Sequence, residues 1–320
     1  MGGVRMCVSP PHSRNHPISQ PCTNCFTPID GRYCASCGQK RFESADRRFG
    51  HLLSEFAHGL TDLDGRVWRS LLALLFRPGL LSLDYNEGRR ARWLSPVTLF
   101  LAVNVVYFIS PLHGDYAMQF SRQVTPRIAI AAAEPGTDTS TYAHNGQAHS
   151  AFTESWVDKE AAKLDPDHHG DGYRKLRERY DARADDVSKA LVILHLPFIA
   201  LALALLYADR RYYYAEHFVV TLHYFAFSLL MVTALVHLVT VLQAQIPSFA
   251  AAVPMSALDW VARFFYVFYA VLMLHRAYRT GWVRAVVSGA ALIAAMIAVN
   301  LYIYRPVQFV VTLWAAMRDA

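Results

Sequence analysis

Residues 190–208 read ALVILHLPFIALALALLYA, an apolar run interrupted only by one histidine and one proline and free of formal charge. At about 1.5 Å per residue, such a run covers the roughly 30 Å hydrocarbon core of a bilayer. A surface helix of a soluble domain would need a polar face over the same length, and none can be drawn here. The stretch reads as a transmembrane helix, and it decides the class of the chain.

Four further runs of comparable character lie on either side, at residues 93–111 (WLSPVTLFLAVNVVYFISP), 218–242, 258–275 and 285–304. Of 320 residues, 54% are hydrophobic and 18% charged, against about 45–50% and about 25% in soluble domains. Ordinary soluble, disordered and disulfide-rich secreted classes are excluded. The expected fold is an all-α polytopic membrane protein with about five transmembrane helices and a small N-terminal zinc ribbon. The segment after Pro306, VQFVVTLWAAM, is too short to cross and is expected to lie at the interface or against the bundle.

Orientation follows from the short loops. Arg77, Arg89, Arg90 and Arg92 precede the first run, Arg210 and Arg211 follow the second, and Arg276, Arg279 and Arg284 join the fourth to the fifth. The loop QAQIPSFAAAVPMSA between the third and fourth has neither Lys nor Arg. The N-terminal MGGVRMCVSPPHSRNHPISQ has no apolar leader stretch. A cytoplasmic N-terminus puts every arginine-bearing short loop on the inner side. Residues 112–189 then form an extracytoplasmic insertion. It holds 10 Lys/Arg against 13 Asp/Glu, while residues 1–92 hold 13 against 8. Its first half is rich in small polar residues. From Asp171 to Lys189 the pattern predicts an amphipathic helix continuing into the second span, read as a solvated stalk.

Four of the five cysteines stand as Cys22-x2-Cys25-x8-Cys34-x2-Cys37. Two Cys-x2-Cys knuckles can set four thiolates tetrahedrally around one zinc at about 2.3 Å. Gly38 suits the second knuckle, and Asp30-Gly31 is a turn signal between them. Residues 21–42 contain too few apolar side chains to fold on a core, so a metal must supply the energy. Two disulfides would need an oxidising compartment, and iron is a second rival for four thiolates. A closed four-thiolate site has no open position and points away from catalysis. Residues 1–20 read as a disordered tail, with Cys7 a plain thiol in it.

Between ribbon and membrane, residues 49–92 form a collar. Leu52, Leu53, Phe56 and Leu60 recur at helical spacing, and a second apolar run, Val67 to Phe76, ends at Pro78-Gly79. Its Trp68, Arg69 and Arg77 suit a helix lying flat on the inner leaflet, with a helix packed on the bundle's inner face as the alternative. Gly88-Arg89-Arg90 is expected to meet anionic lipid headgroups.

The ribbon end YCASCGQKR, the collar LLALLFRPGLLSLDYNEGRRARWLSPVTLFLAVNVVYF and the stretch YAEHFVVTLHYFAF together resemble a family of uncharacterised bacterial inner-membrane proteins. That family has an N-terminal four-cysteine ribbon, an "rPG…Y…GkR…sP" stretch and several spans. The resemblance, over roughly residues 22 to 110, implies a membrane protein of uncharacterised activity and supplies no reaction and no functional residues.

Ionisable residues within spans are costly and invite a functional reading. Here they are mostly histidines: His195 in the second span, His223 and His237 in the third, with Glu216 and His217 before it and His275 ending the fourth. His195 and His237 fall near the outer face, the others near the inner. Two histidine layers could serve a b-type haem, or a proton or metal path. They could equally bond neighbouring helices, as could Asn104, while Arg263 can snorkel. No phosphate-cradling loop, nucleophile elbow or H-E-x-x-H occurs. The expected function is therefore a zinc-ribbon scaffold at the bacterial inner membrane, in contact with lipid and docking a cytoplasmic protein. The alternatives are a small-solute or ion transporter using the histidines, then a haem-binding redox protein. The basic N-terminal part is explained by lipid, without nucleic acid.

Overall fold

The structure is a computed structural model that describes residues 20–41, 65–109, 118–125, 143–144, 149–166, 171–246 and 255–318. The helical pattern of Leu52, Leu53, Phe56 and Leu60 lies outside the described residues.

The ribbon opens with β1 (Gln20–Pro21), which pairs antiparallel with β2 (Pro28–Ile29). A second short bridge joins Tyr33 to Lys40. The collar is two helices, α1 (Arg66–Phe76) and α2 (Leu80–Asn86). Pro78 cannot continue α1, and Gly79 takes φ +77° to start α2. A Cβ on Gly79 would stand 2.5 Å from the Met273 carbonyl oxygen, so both backbone angle and close approach require glycine. One side of α1 buries Ser70, Ala73 and Leu74, while Trp68, Leu72 and Phe76 are exposed along another. The helix thus packs on the bundle and also turns an apolar stripe outward, combining the two expected dispositions.

The bundle is built on α3 (Pro96–Ile109), α7 (His195–Leu206), α8 (Tyr214–Gln245), α9 (Met255–Ala277) and α10 (Trp282–Val299). Ser95 caps α3, its hydroxyl 3.2 Å from the Thr98 N–H. The central helix is α8, in contact with α2, α3, α7 and α9, while α10 lies against α7 and α9. Gly289 lets α10 approach Val271 closely: an added Cβ would meet its side chain at 2.8 Å. Lipid tails are as apolar as leucine, so packing and interhelical hydrogen bonds hold such a bundle, each bond adding on the order of 0.6 kcal/mol.

Two rods continue beyond the bundle, away from the collar. In the first, α6 (Gly172–Leu191) joins α7 through a 3-10 turn at Val192–Leu194. In the second, α10 passes through a π turn at Asn300–Tyr304 into α11 (Arg305–Arg318). Proline lacks an N–H and its ring crowds the carbonyl four residues back; the π turn just before Pro306 accommodates it without ending the helix. The segment after Pro306, expected at the interface or against the bundle, prolongs the last rod and packs along α6.

A second core lies there. α4 (Phe120–Gln123), α5 (Ser150–Lys163), α6 and α11 bury Phe120, Val157, Leu176, Tyr180, Phe309 and Leu313. A small hairpin, β3 (Val124–Thr125) with β4 (Ala143–His144), accompanies them. The expected stalk is in fact half of a helical cap, because Leu176, Tyr180 and Ala184 recur on the face that α11 covers.

Among the described residues, three helical stretches are long and apolar enough to cross a membrane: Gly172–Leu206, Tyr214–Gln245 and Trp282–Arg318. α3 is apolar but short, and α9, though 23 residues long, carries Arg263, His275 and Arg276. By length and composition these helices suggest a membrane protein.

Candidate metal centre and the collar that holds it

The two knuckles are near-copies, twelve residues apart in register. Cys22 N–H donates to the Thr27 carbonyl at 2.8 Å and Cys34 N–H to the Gln39 carbonyl at 2.8 Å. Phe26 N–H returns to the Cys22 carbonyl and Gly38 N–H to the Cys34 carbonyl, both at 2.9 Å. Both turns close through a left-handed residue, Phe26 at φ 63° and Gly38 at φ 71°. Glycine adopts that conformation freely, whereas phenylalanine pays about 1 kcal/mol for it.

The knuckles bring the four sulfurs together. Cys22 Sγ lies 3.6 Å from Cys37 Sγ, and Cys25 Sγ 3.5 Å from Cys34 Sγ. All four lie within 4.8 Å of one another. A tetrahedron of thiolates about 2.3 Å from a metal has edges of about 3.8 Å, close to these separations, while a disulfide requires about 2.05 Å. The cysteines are free thiols here, and the donor set fits one metal ion. Burial pushes the Cys22 thiol up to about 11, and hydrogen bonds from the Thr27 hydroxyl and backbone bring Cys25 down to about 6. The Asn24 N–H also points at Cys22 Sγ, 3.4 Å away, the kind of bond that orients a thiolate ligand.

The same knuckles fasten the ribbon to the collar. Gln39, nearly buried, accepts the backbone N–H groups of Arg90 and Ala91 on its one side-chain oxygen, at 3.0 and 2.8 Å. From the first knuckle, the Thr23 hydroxyl donates to the Gly88 carbonyl at 3.1 Å, and Arg92 donates to Asn24 Oδ1 at 3.3 and 3.2 Å. Both knuckles therefore grip one turn, Gly88 to Arg92, which Gly88 opens at φ 83°.

That turn is anchored in its own right by Asp84. This buried carboxylate accepts from Trp93 Nε1 at 2.8 Å and from Arg89 Nε at 2.9 Å and Nη2 at 2.5 Å. Arg89 also pairs with Glu87, which pairs in turn with Arg279 on the loop between α9 and α10. Burial alone would lower the Arg89 guanidinium, but Asp84 and Glu87 outweigh it and hold it above its usual value. Arg90 lies over the Tyr85 ring at 3.9 Å. Arg89 and Arg90, expected to meet lipid headgroups, are thus taken up by groups within the collar, because Asp84, Tyr85 and Glu87 lie within one turn of them.

The collar is tied into the bundle by further bonds. Tyr269 OH donates to the Leu74 carbonyl at 2.7 Å, Ser70 Oγ accepts the Leu94 N–H at 3.0 Å, and Ser82 Oγ lies 2.8 Å from His223 Nδ1. His217 Nδ1 lies 2.7 Å from Tyr278 OH, and His275 stacks on Trp282 at 3.9 Å. His195 has Nδ1 3.1 Å from the Val192 carbonyl and its ring beside Phe225 and Tyr304. His237 sits half-buried farther along α8. Among the described residues, the group of three or more His, Cys, Asp or Glu side chains placed to share a metal is that of the four cysteines. The sequence reading missed Gln39 and Asp84. Gln39 carries no local pattern; Asp84, an acid in an otherwise apolar helix start beside three arginines, was the available signal.

Residues 64–108 match a family described as protein of unknown function (DUF3667). The match covers the collar and α3 and leaves the ribbon outside it. No curated protein and no solved structure matches the chain.

Proposed function

We propose that this chain is a scaffold of the bacterial inner membrane, its ribbon folded around one structural zinc and held on the collar to present a face to a cytoplasmic protein. The observation that carries the reading is the grip of both knuckles on the Gly88–Arg92 turn. A closed four-thiolate centre contributes folding energy rather than reactivity. With Thr23, Asn24 and Gln39 turned to the collar, Phe26 and Tyr33 stand 75% and 59% exposed, aromatic residues of the type enriched at interface centres.

The reading includes five spans with the N-terminus inside. Arg77, Arg89, Arg276, Arg279 and Arg284 gather at the collar end, where Arg276 bonds the Pro78 carbonyl and Arg284 pairs with Asp209, as the positive-inside rule requires. The bundle histidines have hydrogen-bonding and stacking partners inside the fold, which favours a holding role over transport or haem.

The test is a photo-crosslinking residue placed at position 26 in intact cells, with position 283 on the bundle as the control. A discrete protein adduct at position 26 that disappears in Cys34→Ser supports the scaffold. Equal, diffuse labelling at both positions removes it.

A further inference from the structure

A cleft of about 610 Å3 opens on the side of the bundle between α8, α9 and the π turn. Arg263, from α9, and Arg305, the first residue after the π turn, both line it. Neither guanidinium has a carboxylate partner among the described residues: Arg263 lies over the Trp260 ring, and Arg305 bonds Asn300 Oδ1 through Nε at 3.1 Å. The other walls include Tyr224, Ser228 and Tyr266 and, among the described residues, no acidic one. Two guanidiniums without a carboxylate partner among the described residues line one cleft, an arrangement suited to an anion.

The position of the cleft specifies the kind of anion. The second rod changes character at Arg305: α10 before it is apolar, and α11 after it packs on the heavily charged α6. That change marks headgroup depth. Below it the cleft is walled by Val267, Met296 and Ile297, and Phe264 and Phe268 of α9 are exposed. An ion without a tail would leave those walls uncovered.

The π turn gives the site its shape. It is a rare conformation that recurs at functional positions, and it brings Asn300 into reach of Arg305 Nε. Tyr224 OH donates to the Tyr266 carbonyl at 3.3 Å, and Tyr266 OH to the Ser228 carbonyl at 3.4 Å, which tie the α8 and α9 walls together.

We infer that this cleft binds one anionic phospholipid, its phosphate between Arg263 and Arg305 and its acyl chains along α9. A guanidinium fork receives the two non-bridging oxygens of a phosphodiester. Snorkelling alone would accept any headgroup; two guanidiniums lining one cleft select for net negative charge.

The experiment is native mass spectrometry of the full chain, released from nanodiscs of equal phosphatidylglycerol and phosphatidylcholine. The expected result is one retained phosphatidylglycerol, favoured about tenfold over phosphatidylcholine, with that preference lost in Arg263→Gln/Arg305→Gln. Asn300→Ala, which leaves both charges in place but frees Arg305, is expected to reduce it partly. Melting of each variant in pure phosphatidylcholine separates loss of binding from loss of fold. Equal retention of the two lipids, or an unchanged preference in a folded double variant, overturns the assignment. So does full stabilisation by millimolar inorganic phosphate without anionic lipid, which would make the cleft a free-anion site.

Discussion

The side-chain oxygen of Gln39 accepts the backbone N–H of Ala91 at 2.8 Å, and the adjacent Arg90 N–H reaches the same oxygen at 3.0 Å. One residue of the second knuckle thereby satisfies two amides of a collar turn that is itself held by Asp84. With the Thr23 and Asn24 contacts, this junction holds the four-cysteine cluster on the collar.

Gln39→Ala removes the shared acceptor and is expected to weaken ribbon docking by about 2 kcal/mol, since leaving a buried donor unmade costs about 1–3 kcal/mol. Limited proteolysis should cut between residues 41 and 65 at least tenfold faster, with metal content unchanged. Gln39→Glu keeps an acceptor and should lie close to wild type. An unaltered cleavage rate in Gln39→Ala would mean the contact does not hold the ribbon.

Gly79→Ala meets two obstacles together, a left-handed φ and the Met273 carbonyl 2.5 Å from the new Cβ. A loss of about 2–4 kcal/mol is expected, read as a lowered melting temperature in detergent. Gly281, whose added Cβ meets nothing within 4 Å and whose φ is −63°, is the control. Its change to alanine should stay within about 0.5 kcal/mol.

Phe26→Gly relieves a left-handed phenylalanine and is expected to tighten the ribbon by about 1 kcal/mol, measured as slower metal loss to a chelator. The scaffold reading adds that the same change reduces partner capture. A ribbon made more stable yet less able to bind would separate the structural role of Phe26 from its exposed ring. Unchanged or faster metal loss would remove the strain argument.

At the loop between α7 and α8, Asp209 pairs with Arg284 through both guanidinium nitrogens, at 2.7 and 2.5 Å. The Arg284 partner holds the Asp209 carboxyl below its usual value of 3.8. A depressed folded pKa contributes stability that is present above the unfolded value and is lost as pH falls through the folded one. Wild type should therefore lose more stability than Asp209→Asn as pH drops below about 4. The pair is largely exposed, so the difference is expected to be small and to shrink with salt. Parallel acid melts of the two proteins check it.

Much of this architecture was legible in residue order. Runs such as 190–208 declare membrane helices by length and lack of charge, and the Cys-x2-Cys spacing declares a shared site. Pro306 misled, because proline usually ends a helix and nothing local announces that a π turn will absorb it. The cap formed by α6 and α11 is hidden for another reason: the Tyr180 and Phe309 rings lie 5.6 Å apart but far apart in the chain, so α6 alone reads as a solvated stalk and α11 alone as an interfacial or bundle-packed segment. A cluster of arginines before a span, as at Arg89 and Arg90, normally goes to lipid headgroups. Asp84 and Tyr85 capture them through a fold-back that composition does not reveal. Gln39 had no pattern at all; its role exists only once both knuckles are built.

The central claim is that Cys22, Cys25, Cys34 and Cys37 hold one zinc and thereby fold the ribbon. Elemental analysis with a visible spectrum on the detergent-purified protein, wild type beside Cys34→Ser, tests it most directly. The account predicts one zinc per chain in the wild type, none in the variant, and no visible absorbance. Metal-free wild type with two disulfides, or iron with a Soret band that survives the cysteine change, would contradict it.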